Sequence, residues 1–203
     1  MRPRRLNLRR VSILGALLRA IDACDPHMRG HSLRVSALAE RIATRLGWSD
    51  DRLLGLRLGA RLHDIGKLAV PTELLRKPGR LTKAELARIR EHPSAGARML
   101  EQLGCFSPAL PCVLYHHERW DGRGYPTGRA GTEIPLEARV LAVADAFDAM
   151  TSRRPYCAPL SVPQARSEVE RCAGSQFDPD LASLFLEVWQ PGEPALAAAA
   201  GAR

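Results

Sequence analysis

The stretch Arg61-Leu-His-Asp-Ile-Gly-Lys67 places a histidine, a carboxylate and a lysine close together. On a helix, the side chains of His63 and Asp64 would point about 100° apart, so the two side chains cannot easily converge on one small site. They can take neighbouring positions around a metal centre, with the carboxylate lying between two ions. Gly66 is expected to end the helix, and Lys67 then places a cation beside the site. This stretch predicts a metal site that is suited to a phosphate.

Six histidines lie at expected helix ends, each beside a glycine, a proline or an acidic residue: His27, His31, His63, His92, His116 and His117. Two carboxylates, Asp145 and Asp148, lie on an apolar expected helix, where an unpaired buried charge would be costly. Imidazoles with carboxylates and without thiolates favour iron, manganese or similar divalent ions over structural zinc.

The number of candidate ligands exceeds what one tetrahedral ion can use. They are His31, His63, Asp64, His92, His116, His117 and Asp145. Two divalent ions about 3.5–4 Å apart, bridged by a carboxylate and a hydroxide, would accommodate this set. Such a pair makes a nucleophile at neutral pH and holds a phosphoryl oxygen, which is the chemistry of phosphodiester hydrolysis.

Apolar residues recur at helical spacing throughout the chain, and no segment indicates a sheet. The sequence therefore predicts an all-α fold. The expected helices are 11–23, 32–46, 50–64, 71–75, 82–92, 93–104, 108–118, 136–151, 161–172 and 178–188. The stretch 119–135 is rich in glycine and is long for a connection within a compact domain, which is typical of a functional loop. We expect one domain over residues 11–190, a basic arm over 1–10 and a flexible tail over 191–203.

The amino-acid composition disfavours some classes of binding partner and indicates the cellular compartment. The net charge is +8, but aromatic residues make up only 5% of the chain, which disfavours a base-stacking surface for single-stranded nucleic acid. The five cysteines show no CxxC spacing, which fits a reducing cytoplasm better than a disulfide framework. No apolar run is long enough to span a bilayer. The arginines of the arm are interpreted as solvated, in preference to a nucleic-acid or membrane role.

Three separated motifs together resemble the HD-GYP family, a branch of the HD-domain metal-dependent phosphohydrolases. They are His63-Asp-Ile-Gly-Lys67, His116-His-Glu-Arg-Trp-Asp-Gly-Arg-Gly-Tyr-Pro126 and Ala144-Asp-Ala-Phe-Asp148. The resemblance covers residues 15–188. It implies an HD-domain helical bundle with an extended GYP loop, and hydrolysis of cyclic di-GMP to linear pGpG, in many members onward to GMP.

By position, the resemblance assigns roles to individual residues. The metal ligands would be the seven residues named above, with Asp64 bridging. Lys67 would contact the scissile phosphate and assist proton transfer. Contacts to the substrate would come from Gly122, Gly124, Tyr125, Asp148 and Arg154. Glycines allow the loop to approach a nucleotide, and arginine grips phosphate with two hydrogen bonds.

Two positions depart from the family pattern. Members with a third metal have a glutamate four residues before the first histidine ligand, where this chain has His27. His27 could ligate a third ion if its segment is helical, but a two-metal site is the preferred interpretation. Cys157 stands where relatives often place a lysine near the substrate phosphate, and Arg153 or Arg154 could compensate for it.

Two alternatives stay open. The first is the same chemistry on another cyclic dinucleotide, because the motifs specify phosphodiester and metals better than bases. The second is a weakly catalytic module that senses cyclic di-GMP and relays it to a protein partner, although seven intact ligands argue against a pure adaptor. No receiver, PAS-like or membrane segment is recognised, so we expect regulation to come from a protein partner, expression or metal supply.

Overall fold

The computed structural model describes residues 8–25, 30–152 and 158–189. Within these ranges the chain forms α-helices and short 3₁₀ turns, without a β-strand, which confirms the predicted all-α class. The helices are α1 (Leu8–Cys24), α2 (His31–Arg45), α3 (Asp50–Leu62), α4 (Thr72–Leu75), α5 (Lys83–Ile89), α6 (His92–Leu103), α7 (Leu110–Tyr115), α8 (Leu136–Thr151), α9 (Val162–Arg171) and α10 (Pro179–Val188). The 3₁₀ turns are Ile65–Ala69, Ser107–Ala109 and Gly131–Glu133.

Helices α2 and α8 form the centre of the bundle. Helix α2 packs against α3, α8 and α10, and α8 also contacts α7 and α9. Their shared core contains Ile42, Leu56, Leu141 and Phe185, none more than 1% exposed. Each such side chain contributes about 1.5–3 kcal/mol by leaving water. This packing fixes the relative positions of the helix ends that carry the histidines.

A second apolar cluster lies beneath α1. It includes Leu62, Ile65, Leu100 and Phe106, each 1% exposed or less. This cluster joins the end of α3 to the middle of α6. It therefore supports the turn that carries the His63-Asp64 pair.

Local capping explains several helix starts. Thr82 and Glu85 form the predicted capping box of α5, in which the Glu85 amide donates to Thr82 Oγ1 across 3.2 Å. Asp178 caps α10 as predicted and accepts from the Asp180 amide at 3.0 Å. Ser49 stands at the predicted N-cap of α3, but its side chain makes no capping hydrogen bond.

The structure corrects the interpretation of Gly66. Helix α3 ends at Leu62, and a 3₁₀ turn over Ile65–Ala69 follows. A Cβ atom at position 66 would overlap the carbonyl oxygen of His92. Gly66 is therefore required by the close approach of α6, not by the end of α3.

Other boundaries differ by a few residues. Helix α1 begins at Leu8, before the expected start at 11, and α7 spans only Leu110–Tyr115. Pro111, in the first turn of α7, lacks an amide donor, and the residues before α7 form a 3₁₀ turn.

The described residues contain no helix with the length and apolar character needed to cross a bilayer. Most of the predicted arm, the predicted tail, His27, Arg154 and Cys157 lie outside the described residues.

Candidate metal centre

Five histidines converge because four helix ends meet beside the middle of α8. His31 and His92 are the first residues of α2 and α6, and His63 directly follows α3. His116 and His117 follow the end of α7. Neighbouring ring centroids are 4.1 to 5.3 Å apart. The structure thus brings together the five predicted histidine ligands that it describes, and His27 lies outside the described residues.

The donor atoms form two groups. One contains His31, His63 and Asp64, the other His92, His116 and His117, and the atoms within each group lie within 4.8 Å of one another.

Asp64 spans both groups. Its Oδ2 lies 3.1 Å from His63 Nε2, and its Oδ1 lies 3.3 Å from His92 Nε2. Asp145 reaches the first group from α8, with its Oδ1 3.1 Å from His31 Nε2. A carboxylate in this position could bridge two ions, and the bridging role of Asp64 stays a prediction.

The histidine tautomers fit metal coordination. Nδ1 of His63 lies 2.8 Å from the Ala60 carbonyl oxygen, and Nδ1 of His92 lies 2.8 Å from the Ile89 carbonyl oxygen. When Nδ1–H donates to these carbonyls, the Nε2 lone pair points into the site. His116 is held in the same way by the Cys112 carbonyl at 3.0 Å.

The inward nitrogens need a cation. His63 Nε2 is buried and has no hydrogen-bond partner within the described part of the chain. Nε2 of His92 and Nε2 of His116 face each other across 3.3 Å. Two lone pairs at that distance require a proton or a metal ion between them. The residues therefore fit a pair of divalent ions.

The pKa values divide the histidines into two sets. Burial lowers the pKa of His31, but Asp145 and Asp148 outweigh it and raise that pKa to about 9, and Asp64 likewise outweighs burial and raises the pKa of His63. A bound ion would displace the protons that these two rings carry without metal.

Burial lowers the pKa of His117 to about 4 and holds that of His116 well below its usual range. Both rings are therefore neutral at pH 7. Burial would raise the pKa of Asp64, but the charges of Lys67 and His63 hold it well below its usual range, so Asp64 is an anion.

Lys67 lies at the edge of the centre, as predicted. Its Nζ is 3.0 Å from Asp64 Oδ2 and 3.9 Å from Asp25 Oδ2. Burial lowers its pKa, but the neighbouring carboxylates outweigh burial and raise it, so Lys67 stays protonated. The sequence analysis did not identify Asp25 as a neighbour of this lysine.

Asp148 lies behind a ligand. Its Oδ2 is 2.7 Å from His31 Nδ1, and Arg34 donates from Nε to its Oδ1 at 2.6 Å and from Nη2 to its Oδ2 at 3.0 Å. The residue is 3% exposed and does not line the cleft described below. Sequence analysis missed Arg34, although its position one helical turn after His31 places the two on one face.

Hydrogen bonds to a buried carboxylate fix the position of the GYP loop, which lies within the stretch 119–135. Glu118 Oε1 accepts from the Thr127 amide at 2.6 Å, from Thr127 Oγ1 at 2.7 Å and from the Gly128 amide at 3.1 Å. Glu118 is 3% exposed. Sequence analysis assigned it no role, although it directly follows the paired histidines.

The same loop brings Tyr125 against the centre. The Tyr125 ring stacks on His117 with centroids 4.7 Å apart and planes at 23°. Arg90 lies over the Tyr125 ring at 5.2 Å. A Cβ atom at Gly124 would overlap the backbone of Glu118, so the loop closes on itself here. Gly122 lies nearby in a turn, with φ of 75°.

A cleft of about 460 Å³ opens over the metal-ligand residues. Predicted residues that line it include His31, Asp64, Lys67, His116, His117, Tyr125 and Asp145. It continues along α8 toward the end of α9. This volume is in the range of small-molecule sites.

Comparison with known proteins agrees with this geometry. Residues 16–181 match the family model described as HD domain. The chain is 40% identical over 168 residues to a Thermotoga maritima protein named cyclic di-GMP phosphodiesterase, covering 81% of this chain and 45% of that one. It is 38% identical over 168 residues to 3'3'-cGAMP-specific phosphodiesterase 3 of Vibrio cholerae, covering 83% and 36% of the two chains.

Among solved structures, a crystal structure of a cyclic GMP-AMP specific phosphodiesterase from V. cholerae aligns with a TM-score of 0.65 at 19% identity. The alignment covers 87% of this chain and 47% of the other. At that identity the likeness shows the fold alone. The chain spans less than half the length of the two curated relatives it matches here. It belongs to the HD-domain family, and the motifs that converge on the candidate metal centre place it in the HD-GYP branch.

Proposed function

We propose that this chain is a metal-dependent phosphodiesterase that hydrolyses cyclic di-GMP, with either pGpG or GMP as the end product. The proposal rests mainly on the position of Asp64. Its carboxylate lies between two groups of histidines, and its Oδ2 lies 3.0 Å from Lys67 Nζ. Relatives near 40% identity that are named cyclic di-GMP phosphodiesterases support the choice of substrate.

The two histidine groups, with Asp64 and Asp145, would hold two divalent ions, for which we propose iron or manganese. When bound, the ions supply Lewis acidity toward the phosphate and the attacking water. The donor atoms of the described residues form two groups, enough for two ions, so we propose no third ion at His27. The remaining steps depend on this chain's own side chains.

Lys67 is placed to donate to a phosphate oxygen and to protonate the leaving group. The attacking water gives up a proton to solvent, its oxygen bonds to phosphorus, and the bond from phosphorus to the 3' oxygen breaks, which leaves a 5'-phosphate. The released 3' oxygen would take a proton from Lys67, whose Nζ donates to Asp64 Oδ2 at 3.0 Å, and solvent would return that proton to Lys67. Tyr125, stacked on His117, would support the nucleotide, and Arg154 would hold a phosphate.

A second substrate has specific support. The V. cholerae relative at 38% identity is named for 3'3'-cGAMP, which shares the phosphodiester chemistry and differs in one base. A weakly catalytic binding module with a protein partner is disfavoured, because backbone carbonyl oxygens lie 2.8–3.0 Å from Nδ1 of His63, His92 and His116, which leaves Nε2 of each ring facing the site where an ion would bind. We further propose action in the cytoplasm, since the four described cysteines are free thiols.

The proposal is tested by turnover of cyclic di-GMP by protein reconstituted anaerobically with iron(II) or manganese(II). Products are resolved by ion exchange, and metal content is assayed on the same sample. We expect pGpG or GMP, abolished by chelation. Absence of product with two metals bound would favour another cyclic dinucleotide, and absence of both product and metal would favour the binding module.

A further inference from the structure

Tyr125 lies between the cleft over the metal-ligand residues and a second groove. Its side chain lines the cleft, and it also lines a neighbouring groove of about 730 Å³. Side chains of α5 and α6 form the rest of this groove and include Leu86, Arg90 and Ser94. A side chain that lines the groove but not the cleft can therefore act on the cleft through the Tyr125 ring.

Arg90 contacts the Tyr125 ring from the groove. It lines the groove and not the cleft. Its Cζ lies 5.2 Å from the centroid of the Tyr125 ring, a distance at which the π electrons attract a guanidinium. Within residues 8–25, 30–152 and 158–189, the Arg90 side chain forms no ion pair and no hydrogen bond. No carboxylate of this part of the chain therefore draws the guanidinium away from the ring.

The Tyr125 ring also stacks on His117, a predicted metal ligand. The two ring centroids are 4.7 Å apart, and the ring planes meet at 23°. The Tyr125 amide donates to the His117 carbonyl oxygen at 3.2 Å, which fixes the backbone but not the side-chain torsions of Tyr125. The stack on His117 and the guanidinium of Arg90 therefore set the orientation of the ring.

The backbone around Arg90 supports the metal centre separately from the Arg90 side chain. The carbonyl oxygen of Ile89 lies 2.8 Å from His92 Nδ1, and the Arg90 amide donates to the Leu86 carbonyl oxygen at 2.9 Å. Both contacts use main-chain groups, so a change of the Arg90 side chain leaves them in place. The side chain can therefore be replaced without loss of the backbone contact that orients His92.

Resting on the proposed function, we propose that Arg90 is a positioning residue, whose guanidinium holds the Tyr125 ring against His117 so that the ring supports a bound cyclic dinucleotide. The substrate touches Tyr125 and not Arg90, because Arg90 lies outside the cleft. The ring supports the nucleotide equally in the ground state and in the transition state. Loss of the guanidinium therefore weakens substrate binding and leaves the rate of the chemical step unchanged.

The kinetic test is Arg90→Met, which keeps an unbranched apolar side chain and removes the charge. We expect KM for cyclic di-GMP to rise about two- to fivefold, the range that corresponds to a cation–π contact at an exposed site, with kcat and bound metal unchanged. Arg88→Met is the matched control and should keep the wild-type KM. It is the same change at an exposed position of α5 that lines neither the cleft nor the groove.

A double-mutant cycle separates this role from a general loss of structure. In Tyr125→Leu the ring that Arg90 positions is absent, so adding Arg90→Met should raise KM no further. An unchanged KM in Arg90→Met would overturn the proposal, as would a full additional rise in the Tyr125→Leu background. The same rise in Arg88→Met would show a general effect of charge and would overturn it as well.

The orientation of Tyr125 can be measured without turnover. In protein loaded with zinc(II), a diamagnetic ion, the ring current of His117 shifts the NMR signals of the Tyr125 ring protons, and Tyr125→Leu identifies these signals among those of the three tyrosines. We expect Arg90→Met to move them toward the values of an unstacked tyrosine, and unchanged signals would overturn the positioning role. If the wild type cleaves bis(p-nitrophenyl) phosphate but no cyclic dinucleotide, the proposed function fails, and the spectra still decide whether Arg90 positions Tyr125.

Discussion

Asp148 Oδ2 lies 2.7 Å from His31 Nδ1, so a buried carboxylate of α8 orients His31, the first predicted metal ligand, at the start of α2. The resemblance had placed Asp148 in contact with substrate. Its position behind His31, with Arg34 bonded to both carboxylate oxygens, is instead that of a group that sets a ligand's tautomer and ring angle.

Replacing Asp148 with asparagine should weaken metal binding about 10–100-fold, because the amide is a poorer partner for the imidazole. Competition with a chromophoric chelator measures this affinity. Asp180→Asn, the same change at an exposed position of α10, is the control. Wild-type affinity in Asp148→Asn would show that the contact with His31 does not orient the ligand.

Asp64→Ala should abolish both metal binding and turnover. The substitution removes a carboxylate that approaches both histidine groups and leaves their nitrogens without this bridging anion. Metal analysis after reconstitution and a turnover assay are made on the same preparation. A variant with full activity and normal metal content would rule out the bridged two-metal mechanism.

Lys67→Ala should keep its metals and lose most of its rate, on the order of 10²-fold or more, since general acid catalysis contributes about that much. The readouts are kcat and metal content. Lys83→Ala is the matched control, because Lys83 is an exposed lysine outside the metal cleft. Equal kinetics in both variants would remove Lys67 from its proposed role.

Glu118→Gln should loosen the GYP loop. The carboxylate accepts from two amides and a hydroxyl while buried, and the loss of its charge weakens these hydrogen bonds by about 1–3 kcal/mol in total. Thermal unfolding should show a lower Tm, and KM should rise because Tyr125 is on the same loop. Glu101→Gln, at an exposed position of α6, should change neither quantity.

Removal of metal should destabilise the wild-type fold. The buried donor atoms bind an ion in the folded state and are dispersed in the unfolded chain, so bound metal adds about 2.7 kcal/mol at 100 times its Kd. Calorimetry with and without a chelator measures the difference in Tm. In Asp64→Ala, where no metal binds, the chelator should leave the Tm unchanged.

The sequence by itself determined the helical class, most helix positions and the identity of the converging histidines. Apolar periodicity gives helices directly, and the capping signals at Thr82 and Asp178 fix two of their starts. Several histidines and aspartates stand at helix ends, beside glycine or proline. Together these residue types indicate a metal site. These signals are local, and a linear sequence contains them.

Only the tertiary structure decided which of these residues contact each other. His31 and Asp148 are 117 positions apart, and the packing of α2 against α8 places one behind the other. Position 66 requires glycine because the carbonyl oxygen of His92, on α6, would overlap a Cβ atom there. The amides of Trp120 and Asp121 donate to the carbonyl oxygens of Gln176 and Ser175, which joins the loop after α7 to the turn after α9. Such contacts depend on how helices pack in three dimensions, and no spacing within one segment encodes them.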